Sequence, residues 1–406
     1  MAECLACSAP VEPFMSFGKM PIANGFLREE DFADECFFEL RVGSCQRCTM
    51  VQLTNVIEPD KLFHGGYAYL SSLSVRMADH FRRFAGEVRQ THLGGDNAFV
   101  VEIGSNDGVM LHHFANSGIR HLGVEPSSNV AEVARQKGIN TLCEFFSEAT
   151  AQAIVSKHGQ ADVILGANVV CHLPNIRSVL CGVDLLLKKD GVFIFEEPYL
   201  GDILDKVAYD QIYDEHVFYF SATSLQNLLA QYGMEVVDVM PQTVHGGSMR
   251  YVVARVGEIP PSSALIARLA NEDDAGFGRQ ETFTRFRDRV VESRDQLRAL
   301  LKQLRQDGKV IAGYGATSKS TTVTNFCGIG PEEVAYISDT SPTKQGRYSP
   351  GVHIPIAPYE QFCAAYPDYA VLFAWNHAAE ILPKEESFRA GGGQFILYVP
   401  SVHVMA

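Results

Sequence analysis

Four times between residues 99 and 196 the chain repeats one pattern. A short run of Val, Ile, Leu or Phe leads into a polar or glycine turn, and apolar residues at helical spacing follow. The runs cover residues 99–104, 121–125, 161–166 and 191–196. Such runs read as buried strands, and alternation with helices predicts a doubly wound α/β sheet. In that architecture the ligand sits at the carboxyl ends of the strands. At 406 residues the chain is longer than one core needs, so further domains are expected beside this one.

The first turn narrows the ligand. Strand 99–104 carries Glu102 and ends in Gly104-Ser-Asn106-Asp-Gly108, which lacks the full spacing of a dinucleotide fingerprint. Glycines there let the backbone approach a ligand, and Glu125, ending the second strand, is placed to accept both ribose hydroxyls. An acid before the turn repels a pyrophosphate and suits a cationic ligand without phosphate. That points to S-adenosylmethionine, whose amino and sulfonium groups are both positive. The third strand runs into Asn168 and His172, which are expected to face the same crevice.

Cys4-Leu-Ala-Cys7 and Cys45-Gln-Arg-Cys48 are two C-x-x-C knuckles separated by a stretch rich in proline and glycine. Four thiolates can close a tetrahedron around zinc, and a segment this poor in apolar pattern needs such a staple. Two unrelated pairs or a redox dithiol are the other readings. No open ligand position is implied, so the metal is structural. The other cysteines (Cys36, Cys143, Cys171, Cys181, Cys327, Cys363) lie in apolar company and are expected reduced in the core.

His64-Gly-Gly-Tyr67-Ala-Tyr69 is a glycine turn bearing two tyrosines, and an amphipathic helix over residues 75–89 follows it. Asp210-Gln-Ile-Tyr213-Asp-Glu215-His216-Val-Phe-Tyr-Phe-Ser221 is the densest titratable patch of the chain. It lies between the fourth strand and a helix that Ser221 starts and Gly233 stops. A loop over residues 199–220 is therefore expected above the cofactor edge, with His216 as its chemical group. Residues 260–308 are polar and helical, a connector. A second α/β unit opens at Gly313-Tyr314-Gly315-Ala-Thr-Ser318-Lys319, where the lysine beside free helix N–H groups suits a phosphate. A dinucleotide site or a purely structural turn are the alternatives there.

A net charge of −14 with no long basic run argues against nucleic acid and anionic membrane partners. No apolar run approaches the length of a bilayer span and no leader is evident, so a cytoplasmic protein is expected.

Assembled, these residues resemble the nucleotide-sugar C-methyltransferases, especially the dTDP-4-keto-6-deoxyhexose C3-methyltransferases. The resemblance spans essentially the whole chain. It rests on the four cysteines, on residues 102–108, on Asn168 with His172 and on Tyr213-Asp-Glu-His216. His245-Gly-Gly-Ser-Met-Arg250, the glycine turn with Lys319, and Lys344-Gln-Gly-Arg347-Tyr complete it.

The resemblance implies a zinc-binding domain over residues 1–75 and a Rossmann-like class I methyltransferase domain over 76–260. A helical connector over 261–305 and a C-terminal Rossmann-like domain over 306–406 would follow. It implies His216 as base, with Glu215, Tyr213, His172 and Tyr67 lining the same site. The cofactor would lie against Glu102, Gly104, Asn106, Gly108, Glu125 and Asn168. The sugar nucleotide would meet Tyr314, Gly315, Ser318, Lys319 and Arg347, and the protein would be a monomer. An NAD-linked or non-catalytic sugar-nucleotide protein, or an O- or N-methyltransferase, is the rival reading.

Overall fold

The computed structural model of the chain describes residues 2–63, 70–95 and 97–405. Three sheets organise them. The central one has seven strands in the order Met234–Gln242, Ser248–Arg255, Leu187–Pro198, Ala161–Ala167, Phe99–Ile103, Arg120–Val124 and Thr141–Leu142. The last five are parallel, and the first two form an antiparallel hairpin on the edge beside Leu187–Pro198. The parallel part is the doubly wound sheet expected. The short edge strand Thr141–Leu142 escaped the sequence pattern because two residues carry no periodicity.

The N-terminal sheet pairs Val11–Pro21, Phe37–Cys45 and Val51–Leu53 antiparallel, and its fourth strand is Phe218–Tyr219 from the middle of the chain. Residues 199–220, expected as a loop, are therefore largely ordered elements. Leu200–Lys206 is a helix, Tyr209–Gln211 a single tight turn, and Phe218–Tyr219 a strand. Val51 pairs Tyr219 and Gln52 pairs Phe218, contacts invisible to local spacing.

The third sheet runs Ile356–Pro358, Ile337–Asp339, Ile311–Tyr314, Tyr369–Leu372, Gln394–Leu397, all parallel, then His403–Met405 antiparallel. The long helix Gln280–Gln306 buries Phe283, Phe286, Val290, Leu297, Leu301 and Leu304, a stripe at spacings of three to seven. The stripe faces a core shared with Phe14, Phe17 and the third sheet, and Phe14 stacks on Phe283 with ring centroids 4.7 Å apart. Each such side chain contributes roughly 1.5–3 kcal/mol by leaving water. The segment expected as a connector is a packing element.

Of the six cysteines expected in the core, Cys171 and Cys327 are buried, whereas Cys36 and Cys363 are exposed. Apolar neighbours in sequence do not decide which face of an element a residue takes. No helix among the described residues is long and apolar enough to cross a membrane.

Candidate active site and cysteine cluster

The two knuckles meet. Cys4, Cys7, Cys45 and Cys48 present their sulfurs within 4.8 Å of one another. Cys4 Sγ lies 3.6 Å from Cys48 Sγ, and Cys7 Sγ lies 3.5 Å from Cys45 Sγ. Thiolates 2.3 Å from a tetrahedral zinc sit roughly 3.8 Å apart, so the donor set fits that metal. Crowding splits the thiols: the hydrogen bond from Cys48 pulls Cys4 down to about 5, while its counterpart pushes Cys48 up. The cluster packs against the central sheet's core.

At the carboxyl edge of the central sheet three acids crowd together. Glu102 is buried, and burial, then Glu125 and Asp107, push its carboxyl well above the usual range. Among the described residues its Oε2 has no hydrogen-bond partner, nor has Oδ1 of Asp107 or Oγ of Ser105. A buried group of carboxyls with unspent acceptors fits a cation with an amine and a sulfonium, whose charge would favour their ionised forms.

Glu125 behaves differently from the expectation. Its carboxylate accepts from Asn106 N at 3.0 Å and from Ser127 N at 2.9 Å, so it also holds the glycine turn in shape. Gly104 and Gly108 have φ of +64° and +77°. A Cβ on Gly104 would stand 2.5 Å from Val169, and one on Gly108 would stand 2.8 Å from Ile139. These glycines answer first to protein packing, whereas the sequence suggested approach to a ligand. The side chain of Asn106 accepts from Ser71 N at 2.9 Å, and Asn168 adopts φ +52°.

The C-terminal unit repeats this turn. Gly104 N donates to Val124 O and Gly315 N to Ser338 O, each at 2.8 Å. Asp339 then takes the part of Glu125, accepting from Ala316 N and Ser341 N, both at 2.8 Å. The acid that would mark a ribose site in a dinucleotide fold is thus committed to its own loop.

His216 stands between the two units. Its Nδ1 lies 2.9 Å from Gln211 O, so that nitrogen carries the proton and donates. Nε2 is then the acceptor, 2.7 Å from the Tyr213 hydroxyl. Burial, reinforced by His172, drives His216 well below the ordinary histidine value, so the ring is neutral at pH 7. Val217 N donates to Cys171 O at 2.9 Å, tying this segment to the end of Ala161–Ala167. His172 consequently lies 5.2 Å from His216 between ring centroids. Its Nε2 is buried without a partner among the described residues, and burial pushes the ring down to about 4.

The other expected site residues divide. Glu215 is buried, raised by burial, and accepts from Asn24 Nδ2 at 2.6 Å. Ser318 donates to the oxygen of the same amide at 2.9 Å. Lys319 is buried with Nζ 3.4 Å from His245 O and 5.4 Å from the Trp375 ring centroid. Arg347 donates to Phe26 O at 3.0 Å and borders an open cavity of about 520 Å³ with Arg28. Tyr314 is not brought to this site: it turns into the C-terminal core against Phe362 and Phe395, its hydroxyl donating to Glu385 at 2.6 Å. Tyr67 lies outside the described residues.

Several residues of the site were not singled out from sequence. Asp210, fully buried, accepts from Trp375 Nε1 at 2.6 Å and from the Tyr398 hydroxyl at 2.8 Å. His245 has φ +54°, a buried Nε2 without a partner, and a basicity pushed down to about 3 by burial and Lys319. Lys344 donates to Ala316 O at 2.7 Å beneath the glycine turn. The motifs holding His245 and Lys344 were the available signal.

Comparisons with known proteins match each part of the chain. Residues 69–239 match a methyltransferase domain family, residues 4–63 a zinc binding domain, and residues 243–400 the C-methyltransferase C-terminal domain. Solved structures with similar parts include the magnesium protoporphyrin IX methyltransferase of Synechocystis PCC 6803 with bound SAM. It is 12% identical with a TM-score of 0.33, over 44% of this chain and 78% of that one. The plantazolicin methyltransferase BpumL with SAH is 13% identical with a TM-score of 0.34, over 43% and 82%.

The sheet, its acidic edge and the domain matches define an S-adenosylmethionine-dependent methyltransferase with a zinc-binding domain at its N-terminal end. C-methyltransferase NovU of Streptomyces niveus is 39% identical over 396 residues, 97% of this chain and 94% of NovU. The chain belongs to that C-methyltransferase family.

Proposed function

We propose that the protein methylates C3 of a nucleotide-linked 4-keto-6-deoxy sugar, with His216 as the base that removes the C3 proton. The observation that carries this reading is the state of His216: neutral, with Nδ1–H committed to Gln211 O and the Nε2 lone pair turned to the Tyr213 hydroxyl. A carbon acceptor must become a nucleophile, and a sugar carbon does so beside a carbonyl. A C4 ketone acidifies the C3 hydrogen enough for imidazole.

His216 would take that proton on Nε2, and Glu215 on the same segment would favour the imidazolium formed when its carboxyl is ionised. The Tyr213 hydroxyl and His172 would hydrogen-bond the enolate oxygen, a donor there being worth about 3 kcal/mol of barrier. Glu102, Gly104, Asn106, Gly108, Glu125 and Asn168 would hold S-adenosylmethionine, which supplies the electrophilic methyl when bound. Lys319, Ser318, Gly315 and Arg347 would meet the nucleotide phosphates. The zinc cluster lies outside this chemistry. The units would divide near residues 75, 260 and 305, with the sugar nucleotide between the last two α/β units.

The test is solvent exchange. With a 4-keto-6-deoxy sugar nucleotide in D2O, the wild type should place deuterium at C3 and His216→Asn should not. Full exchange by His216→Asn sinks the assignment. With S-adenosylmethionine the sugar should gain about one methylene in mass and lose its exchangeable hydrogen at C3; an O- or N-methylated product, or a redox product with NAD, establishes the rival reading.

A further inference from the structure

The backbone bond from Val217 N to Cys171 O places two stretches of chain side by side, and three donor side chains converge there. Cys171, His172 and His216 each offer one donor atom, and these atoms lie within 4.8 Å of one another. None belongs to the four-cysteine cluster. Cys171 is buried and in no disulfide, its thiol against the Glu197 carboxyl, and His172 Nε2 is buried without a hydrogen-bond partner among the described residues. His216 donates through Nδ1 to Gln211 O, which leaves Nε2 as its coordinating atom. One sulfur and two imidazole nitrogens are a ligand set for zinc, cobalt or copper, not for magnesium or calcium.

We propose that Cys171, His172 and His216 form a second, inhibitory site for a soft divalent ion such as zinc. Three protein ligands leave a fourth position open to water or substrate, whereas four thiolates close theirs. A metal here takes the lone pair of His216 Nε2, displaces the Tyr213 hydroxyl from it and releases the Cys171 thiol proton to solvent. The inhibition rests on the role proposed for His216 above, while the binding does not. A protein that keeps structural zinc through its knuckles is thereby also sensitive to zinc in excess.

Native mass spectrometry on the full chain, holding its one structural zinc, should show a second equivalent as zinc sulfate is added. Cobalt in place of that second zinc should give a single thiolate-to-metal absorption band. Both signals should be lost in Cys171→Ser and in His172→Gln. Methyl transfer and C3 exchange should fall with the second equivalent and return on mild chelation that leaves the first metal in place. Expressed as a ratio to each variant's own zinc-free rate, zinc sensitivity should weaken at least about tenfold in Cys171→Ser, since even outer-shell changes at metal sites cost that much. Retention of the structural zinc shows that a variant has folded. No second equivalent, or a second equivalent unaffected by both substitutions, overturns the site. Binding at the three residues with undiminished C3 exchange upholds the site and removes His216 from the role of base.

Discussion

The Asn24 side chain donates to the Glu215 carboxylate at 2.6 Å, across 191 residues of sequence. Its oxygen accepts from Ser318 at 2.9 Å, so one amide links the N-terminal segment, the segment that carries His216 and the C-terminal glycine turn. Beside it, Asp214 accepts from Ala23 N, Thr321 donates to Ala23 O at 2.8 Å, and Thr322 donates to Ile212 O at 3.0 Å.

Replacing Asn24 by Ala leaves a buried carboxyl without its donor, at a cost of about 1–3 kcal/mol. Asn24→Ala should lower the melting temperature modestly and reduce kcat more than it raises KM. A variant with unchanged kcat would show that Glu215 does not need this partner.

The pH profile of kcat/KM reports the base in the free enzyme. His216 must be neutral to accept a proton, and burial holds it well below the ordinary value of 6.5. Activity should therefore persist as pH falls through 6.5 and be lost only at more acid pH, as the ring protonates. An acidic limb centred above 6.5 would contradict a neutral, buried imidazole.

Cys45→Ser removes one of four thiolates. Structural zinc sites supply folding free energy on the order of 10 kcal/mol, so the variant should lose its metal and the N-terminal sheet together. Because Phe218–Tyr219 is the fourth strand of that sheet and follows His216 closely in sequence, activity should fall with the metal. Metal content by mass spectrometry and methyl transfer by product mass check both halves.

Asp210→Ala takes away the acceptor shared by Trp375 and Tyr398. The half-buried indole N–H loses its partner, at about 1–3 kcal/mol, while the Tyr398 hydroxyl keeps only its longer contact to Phe373 O at 3.4 Å. Trp375 is the sole tryptophan of the chain, so its emission should shift to the red as the indole loses its partner and gains water. An unchanged spectrum would mean that the indole does not depend on Asp210.

Much of this protein was legible in its sequence. Strand Phe99–Ile103 and its successors are written locally, because alternation between an apolar run and a helical stripe is a property of neighbours. The cysteine cluster follows from two short spacings, and Ser221 and Gly233 bound their helical stretch as capping chemistry requires. His216 stood out because titratable residues crowd one short segment.

The rest depended on contacts over long separations. Nothing near Asn24 says that it meets Glu215, and nothing near Phe218–Tyr219 says that it extends a sheet begun at Val11–Pro21. Tyr314 was expected against the substrate, yet its place in Ile311–Tyr314 turns it toward Phe362 and Phe395. The sequence by itself determined the main strands and helices and the four clustered cysteines, and it singled out His216, since these rest on local backbone geometry and spacing. Only the tertiary structure decided the tautomer of His216, the burial that keeps it neutral and the convergence of Cys171, His172 and His216. Those are properties of surroundings, and the surroundings come from segments that the chain order keeps far apart.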